Sequence, residues 1–349
     1  MSGGPAAAVS QPRSASARRP GLRRLLLAVV LAAVIGAATW AITQNAPEFT
    51  AAFGQLHHVS VGWVIFAMAL EVASYTTYAA GQRRLLRACD HSVGTGGLTA
   101  LSAAAQALGN VIPVGSAAAG VYVVRQLHRR GVEEYIGVAV QAVTVLVYFT
   151  VLGGLGLIGA EIAGGGGPID LRWTAAAVLA AAVAVLALVR VGMRHRWGMA
   201  TAQRLQAHWP DLPWPDTTAS ARMRLPTPRG WTVVGSLMTA SWLVDCGCLV
   251  LCAFAVSAGV PWRGLLVAYC AGQLAAIIPF APGGLGVVEG SLTLALVAYG
   301  GTGQSTLAAV LLYRLITYWA LLPVGAAAHV TLSRTWAPRV APQPTALPR

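Results

Sequence analysis

Long runs of apolar residues alternate along the chain with short polar segments that are rich in arginine. Each run is about twenty residues long, the length that an α-helix needs to cross about 30 Å of hydrocarbon. The pattern therefore predicts an all-α, polytopic membrane protein with about six full spans. The predicted spans are, in chain order, 22–43, 59–80, 132–160, 171–191, 231–258 and 305–332.

Two further apolar segments, 94–124 and 264–300, are interrupted by one short pattern that occurs in both. An Ile-Pro pair is followed, at the same spacing, by Gly-Val, and small or helix-breaking residues fill the gap. Because proline lacks a backbone donor and glycine tolerates left-handed torsions, each pattern predicts a broken helix. The residues of the two broken-helix motifs are Asn110, Pro113 and Gly120, and Pro279, Pro282, Gly283, Gly284 and Gly286.

A broken helix inside a bilayer leaves polar backbone groups unpaired. Membranes tolerate this only where protein or a water-filled cavity receives those groups. Paired interruptions in the two halves of a hydrophobic chain are the sequence pattern that best indicates a transport pathway. The alternative interpretation is an unrelated pair of proline and glycine breaks.

The arginines beside the apolar runs predict how the chain is inserted, because cytoplasmic loops are enriched in basic residues. Arg125, Arg129 and Arg130 directly follow the first broken segment. Its second limb, 114–124, covers only about 17 Å as a helix, which is too short to cross. We therefore expect a re-entrant hairpin that returns to the cytoplasmic side. The same reasoning inserts the second hairpin from the opposite face and leaves both chain ends in the cytoplasm.

The two halves, 22–160 and 171–332, then share one order of span, span, hairpin and span in opposite orientations. This order predicts an inverted repeat within a single transmembrane domain, 22–332. Residues 1–21 are expected to form a disordered, basic cytoplasmic tail, and residues 333–349 a Pro-rich cytoplasmic tail.

Composition agrees with a membrane protein and limits the partners that we expect. Of the 349 residues, 56% are hydrophobic and only 10% are charged, whereas a soluble protein carries about a quarter charged residues. The formal net charge of +13 comes from arginine without any lysine. No soluble segment is long enough to bind nucleic acid, so we expect the arginines to attract anionic lipid headgroups. Arginine without lysine, among abundant Ala and Gly, indicates a GC-rich bacterial genome and hence a bacterial inner membrane.

Four charged residues are candidates for a substrate pathway. Glu71 and Asp245 each lie in the middle of the second span of their half, where a carboxylate costs several kcal/mol unless it is neutral, paired or wet. Arg314 is the only basic residue well inside a predicted span, and Glu289 follows the second glycine-rich break. The natural partners of the guanidinium are Glu289, Asp245 and Glu71.

A structural role for the same residues is the alternative. Each carboxylate then forms a tie to a neighbouring Ser, Thr or Tyr, or to an amide of a broken helix. The arginine then forms an ion pair that only holds helices together. If Arg314 is functional, its planar fork fits the oxygens of a lipid phosphate.

Enzymatic chemistry is not expected from this sequence. The histidines have no metal-ligand spacing, the five cysteines form no C-x-x-C pair, and no nucleophile lies beside a base in a recognisable pattern. We expect no catalytic residue, no metal and no cofactor.

Two motifs resemble those of a known family. One is Pro-Gly-Gly-Leu-Gly-Val-Val-Glu from Pro282 to Glu289, and the other is Leu-Leu-Tyr-Arg at 311–314, followed by Tyr318 and Pro323. They resemble the flippase-like membrane domain of lysylphosphatidylglycerol synthases and its stand-alone relatives, over roughly residues 22–332. The resemblance implies movement of a lipid or lipid-linked glycan between leaflets. It implies no synthase activity, because a Pro-rich tail stands where the soluble synthase domain follows in two-domain relatives.

The first broken motif resembles the family only in part. Asn110 and Pro113 match, but many members carry an arginine and a Gly-Glu pair just after the proline. Gly115, Ala117 and Ala118 stand there instead. This departure counts against any mechanism that needs charges on the first hairpin.

The leading hypothesis is a lipid translocase of the bacterial inner membrane. Its partners would be lipids with an anionic or glycosylated headgroup and a lipid-modifying enzyme. A proton taken up by Glu71 or Asp245 would drive or gate the cycle. One alternative is an ion-coupled transporter of a small solute. Another is a non-catalytic scaffold for a lipid-modifying or glycosyl transferase, with the Trp- and Pro-containing loop 192–230 as its docking element.

Overall fold

The computed structural model describes residue 54 and residues 59–112, 115–164, 226–276 and 282–336. Within these ranges every regular element is a helix and no strand occurs. All of these residues belong to one compact unit, Asn45–Arg349.

Several sequence-based predictions fall outside the described residues. They concern the basic tail, the first and fourth predicted spans, most of the loop proposed for docking and most of the Pro-rich tail. Two predicted motif residues, Pro113 and Pro279, also lie outside the described ranges.

Nine α-helices form the described part of the chain: α1 (Val61–Ala88), α2 (Thr95–Val111), α3 (Gly115–Arg129), α4 (Glu134–Ile162), α5 (Pro228–Ala255), α6 (Trp262–Ala275), α7 (Val287–Ala298), α8 (Gly303–Arg314) and α9 (Leu321–Thr335). A 3₁₀ turn, Pro282–Gly284, precedes α7. A π-helical segment, Leu315–Ala320, joins α8 to α9 without a break.

Four of these helical stretches are long and apolar enough to cross a membrane. They confirm a polytopic, all-helical membrane protein and match four of the six predicted spans. Their bounds are Val61–Ala88, Glu134–Ile162, Pro228–Ala255 and Gly303–Thr335.

The helices of the two predicted broken segments are shorter. In the first segment α2 ends at Val111, Ile112 lies outside the helix, and α3 begins at Gly115. The four helices α2, α3, α6 and α7 have 17, 15, 14 and 12 residues. At 1.5 Å per residue none of them reaches the ~30 Å thickness of the hydrocarbon core. Gly120 lies inside α3 rather than at the interruption.

The two limbs of the first broken segment touch at their backbones. A Cβ atom added to Gly115 would lie 1.9 Å from the carbonyl oxygen of Gly109. Only glycine fits at this position, so α2 and α3 form a tight helical hairpin.

Helices α1 and α5 make the most extensive packing contact and run antiparallel. The amide of Ser60, before α1, donates to the carbonyl oxygen of Ala255 at the end of α5 (3.0 Å). Near the middle, the Ser74 hydroxyl donates to the Ser241 carbonyl oxygen, and the Ser241 hydroxyl donates to that of Ser74, both at 3.0 Å. Around this pair, α9 packs against α2, while α6 packs against α4 and α7.

Candidate functional site

The antiparallel packing of α1 and α5 brings two acidic residues together. Glu71 lies one turn before Ser74 and Asp245 lies one turn after Ser241, on the same side of the helix crossing. The carboxyl groups of Glu71 and Asp245 are close enough to interact electrostatically, and the residues are only 9% and 8% exposed. Two carboxyl groups this close repel each other when both are ionised.

Donors from two further helices surround Asp245. Its Oδ2 atom accepts hydrogen bonds from the hydroxyl of Tyr269 on α6, from the hydroxyl of Tyr313 on α8 (2.9 Å) and from Nε2 of Gln273 on α6 (3.1 Å). The same Gln273 nitrogen also contacts the Tyr313 hydroxyl at 2.9 Å. In contrast, Glu71 Oε2 is buried and meets no hydrogen-bond donor in the described part of the chain.

An ion pair lies beside this carboxyl cluster. Arg314 Nε and Glu289 Oε1 are 2.7 Å apart, and the two side chains are 12% and 13% exposed. The second carboxylate oxygen, Oε2, accepts from the backbone amide of Gly286 at 2.6 Å. Glu289 therefore closes the first turn of α7, and its negative charge lies at the positive end of that helix.

The glycine-rich turn and the π-helical segment fix the guanidinium from two other sides. One terminal nitrogen of Arg314 donates to the carbonyl oxygen of Gly283 at 2.8 Å. Its Cζ atom lies 4.8 Å from the centre of the Tyr318 ring, a cation–π contact. Gly283 has a φ of +59°, and a Cβ atom there would lie 2.1 Å from Tyr318 Cε2. Glycine is required both by this left-handed torsion and by the space.

Tyr318 connects the two broken-helix motifs. Its ring packs on Gly283 of the second motif, and its hydroxyl donates to the carbonyl oxygen of Asn110 in the first motif at 3.2 Å. That carbonyl is near the C-terminal end of α2, where helix carbonyls lack intrahelical partners. The buried side-chain oxygen of Asn110 is 3.4 Å from Gln106 Nε2 on the same helix.

The carboxyl pair and the ion pair form one site, because Tyr313 and Arg314 are consecutive residues. Arg314 is also close enough to Asp245 for a Coulombic interaction. The site thus draws on α1, α5, α6, α7 and α8, together with the end of α2. Among the described residues no group of three or more His, Cys, Asp or Glu side chains is arranged to hold a metal ion.

The structure brings together the four predicted pathway residues, and Glu289 is the ion-pair partner of Arg314 among the three considered. Gly283, Gly284 and Gly286 form the turn before α7, with φ of +59°, +67° and +80°, and Pro282 begins it. Gly120 is not part of the site. The tyrosine hydrogen bonds to Asp245 are ties of the kind expected from the structural alternative.

Sequence reasoning missed Tyr269 and Gln273, and it noted Tyr313 and Tyr318 only as family motif residues. Their spacing carried a signal. Tyr269 and Gln273 are four residues apart in a mainly apolar helical segment. Arg314 and Tyr318 have the same spacing, so each pair lies on about one helix face.

The family of the chain follows from a comparison with protein-family models. Residues 25–325 match the model of the lysylphosphatidylglycerol synthase TM region. The chain belongs to this family. No curated protein matches it. As a member of the lysylphosphatidylglycerol synthase TM region family, the chain is a membrane domain with a lipid-related function, and the site described above lies within the matched residues.

Proposed function

We propose that the protein translocates a phospholipid or lipid-linked glycan between the leaflets of the bacterial inner membrane. One observation carries the proposal: the ends of two interrupted helices meet at a largely buried Arg314–Glu289 pair, next to the carboxyl pair of Glu71 and Asp245. Charged side chains at membrane depth, combined with interrupted helices, are the features of a substrate route. Membership of the lysylphosphatidylglycerol synthase TM region family supports a lipid as the substrate.

In this proposal the two hairpins are re-entrant and belong to an inverted repeat that includes six full spans. The helix contacts support it. Exchanging α1 with α5, α2 with α6, α3 with α7, and α4 with the continuous α8–α9 helix reproduces most of the packing: α9 contacts α2 as α4 contacts α6. An axis in the membrane plane reverses helix direction, and α1 and α5 are antiparallel. The reciprocal bonds of Ser74 and Ser241 mark where such an axis would pass.

Charge distribution supports a cytoplasmic location for the C-terminal ends of α1 and α3. Helix α1 carries Arg83, Arg84 and Arg87 near its C-terminal end, and α3 ends with Arg129 before Arg130. The positive-inside rule assigns the C-terminal ends of both helices to the cytoplasm. A hairpin of α2 and α3 that starts and finishes on that side satisfies both groups of arginines, and its short helices agree with this path.

The proposed route separates the headgroup from the acyl chains. The headgroup would pass the site of Arg314 and the carboxyl pair, where polar partners replace its water, while the acyl chains stay in lipid. A proton taken up by Glu71 or Asp245 would drive or gate the cycle, because its loss leaves two adjacent negative charges near Arg314. The protein needs no catalytic residue or cofactor for this task, and an enzyme that modifies the same lipid would be its partner.

A scrambling assay tests the proposal. The purified full chain is reconstituted in liposomes that contain lipids with labelled headgroups, and movement between leaflets is measured. We expect Asp245→Asn and Arg314→Ala to slow scrambling at least about tenfold, equivalent to ~1.4 kcal/mol on the barrier. Arg263→Ala, at the exposed start of α6, is the matched control and should scramble like the unaltered chain. Unchanged scrambling in both site variants, at equal protein levels, would reject the site.

Ion-coupled transport of a small solute is a second candidate. It is favoured by the buried Glu71 Oε2, which faces no donor within the described ranges, because such an oxygen is a natural place for a coupling proton or cation. This function predicts uptake of a soluble substrate driven by an ion gradient, with no movement of labelled lipid.

A further inference from the structure

We infer that the Glu289 carboxylate occupies the binding position of the anionic headgroup, and that a phosphate group replaces it there when substrate binds. This inference rests on the proposed function and names the chemistry that the site recognises: a phosphodiester with one negative charge. It also assigns Glu289 a specific task, which is to keep the site closed until such an anion competes for it.

The donors that hold Glu289 are those that recognise phosphate. Its two oxygens are bound separately, Oε1 by Arg314 Nε at 2.7 Å and Oε2 by the Gly286 amide at 2.6 Å. A guanidinium fork and the amide at the start of a helix are the usual partners of phosphate oxygens. A phosphodiester presents two anionic oxygens in a similar arrangement and carries the same single charge as a carboxylate. Exchange between the two therefore leaves the charge around Arg314 unchanged.

The cationic part of the site is held independently of Glu289. Arg314 also donates to the Gly283 carbonyl oxygen and lies over the Tyr318 ring. The Tyr318 hydroxyl in turn donates to the Asn110 carbonyl oxygen. When the carboxylate leaves, these contacts keep the guanidinium in position. Within the described residues, the Glu289 carboxylate forms hydrogen bonds only with Arg314 and the Gly286 amide, so rotation of this one side chain opens the site.

Apolar surface suitable for acyl chains borders the site. Leu294, one turn beyond Gly290 on α7, is 72% exposed, and Leu315 and Trp319, adjacent to Arg314 and Tyr318, are 51% and 53% exposed. A headgroup at Arg314 would thus have its acyl chains next to hydrophobic side chains that face lipid. This arrangement favours a lipid phosphate over a soluble one.

The test measures equilibrium binding of short-chain phosphatidylglycerol to the full chain in phosphatidylcholine nanodiscs by calorimetry. If the Arg314–Glu289 pair is closed nine-tenths of the time, removing the competing charge raises apparent affinity about tenfold. Glu289→Gln should therefore bind about tenfold more tightly, while Arg314→Ala should bind at least about tenfold more weakly. The double variant should behave like Arg314→Ala. Glu134→Gln, in the exposed first turn of α4, is the matched control and should bind like the unaltered chain.

Opposite effects of the two single variants support the inference, and equal losses in both overturn it in favour of a purely structural ion pair. Should Glu289→Gln not fold, Glu289→Asp replaces it, because the shorter side chain cannot reach both donors; tighter binding supports the inference and weaker binding overturns it. Diacylglycerol and inorganic phosphate are titrated in parallel. Tightening for inorganic phosphate without tightening for phosphatidylglycerol would overturn the lipid assignment. Tighter lipid binding by Glu289→Gln, combined with no lipid scrambling by the unaltered chain, would contradict the proposed translocation but not this inference.

Discussion

At the scale of single residues, Asp245 accepts more hydrogen bonds than any other described side chain of the site. Three donors from α6 and α8 converge on one of its oxygens, and Glu71 contacts the same carboxyl group. A buried carboxyl group that loses a donor pays a desolvation cost, since no water replaces the missing partner. The tyrosines therefore both position Asp245 and link helices α5, α6 and α8.

Removal of one tyrosine hydroxyl should destabilise the protein measurably. Hydrogen bonds to charged groups contribute about 1.5–3 kcal/mol, so we expect Tyr313→Phe to lower the free energy of unfolding by about that amount. Tyr135→Phe, in the first turn of α4 where the side chain is only partly buried, is the control and should change it much less. Thermal unfolding of the purified variants in detergent provides the measurement. Equal stability of the two variants would contradict the role assigned to Tyr313.

Gly283 is required both by its left-handed backbone torsion and by its close packing against Tyr318. Gly283→Ala should cost at least about 1–2 kcal/mol from the left-handed torsion alone, and its Cβ atom would displace the Tyr318 ring. We expect lower thermal stability and slower lipid scrambling together, because Arg314 loses two of its supports. Gly290→Ala is the control: its Cβ meets nothing within 4 Å, and alanine in a helix is slightly stabilising. Normal scrambling by Gly283→Ala would disprove the coupling.

At the scale of elements, the crossing of α1 and α5 is the most extensive helix contact of the described structure. The paired hydroxyls of Ser74 and Ser241 let two helix backbones approach closely, as small residues do in membrane helix interfaces. This contact sets the register that aligns Glu71 with Asp245. A shift of one turn along either helix would separate the two carboxyl groups.

A double-mutant cycle measures the strength of that crossing. Ser74→Ala and Ser241→Ala should each destabilise the protein modestly, with a coupling energy near the average of about 0.6 kcal/mol for such bonds in membranes and at most about 1.7 kcal/mol. Thr76→Ala is the control, since its hydroxyl donates to the carbonyl oxygen of Val72 in its own helix (2.8 Å), and it should not couple to Ser241→Ala. Strictly additive effects of the serine variants would mean that the reciprocal bonds contribute nothing.

Insertion into the bilayer is a property of the whole molecule. The five natural cysteines are all buried, so they should give little background in labelling with a membrane-impermeant maleimide. If the first hairpin is re-entrant, Arg87→Cys and Arg129→Cys should label from the same, cytoplasmic side. Gly259→Cys and Gln304→Cys, which flank the second hairpin at exposed positions, should label together from the other side. Labelling of Arg87→Cys and Arg129→Cys from opposite faces would show that α2 and α3 cross the membrane together.

The sequence by itself determined the properties that depend on local chemistry. The length of an apolar run decides whether a helix can cross a bilayer, so four spans were predicted to within a few residues of their bounds, apart from longer C-terminal ends such as that of α1 at Ala88. The loss of a backbone donor at proline is equally local, and the interruption after Val111 follows from it. Gly120 was assigned to the break because it belongs to the repeated pattern, yet a single glycine is tolerated inside a helix, and α3 continues through it.

Only the tertiary structure decided which charges meet. Glu71 and Asp245 are far apart in the chain, and their contact depends on the antiparallel register set at Ser74 and Ser241. The choice of Glu289 for Arg314, and the arrival of Tyr269 and Gln273 at Asp245, depend likewise on how α6, α7 and α8 pack. Hydrophobic length and backbone chemistry act within one segment, whereas partners of buried charges are selected by the packing of segments that no local pattern specifies.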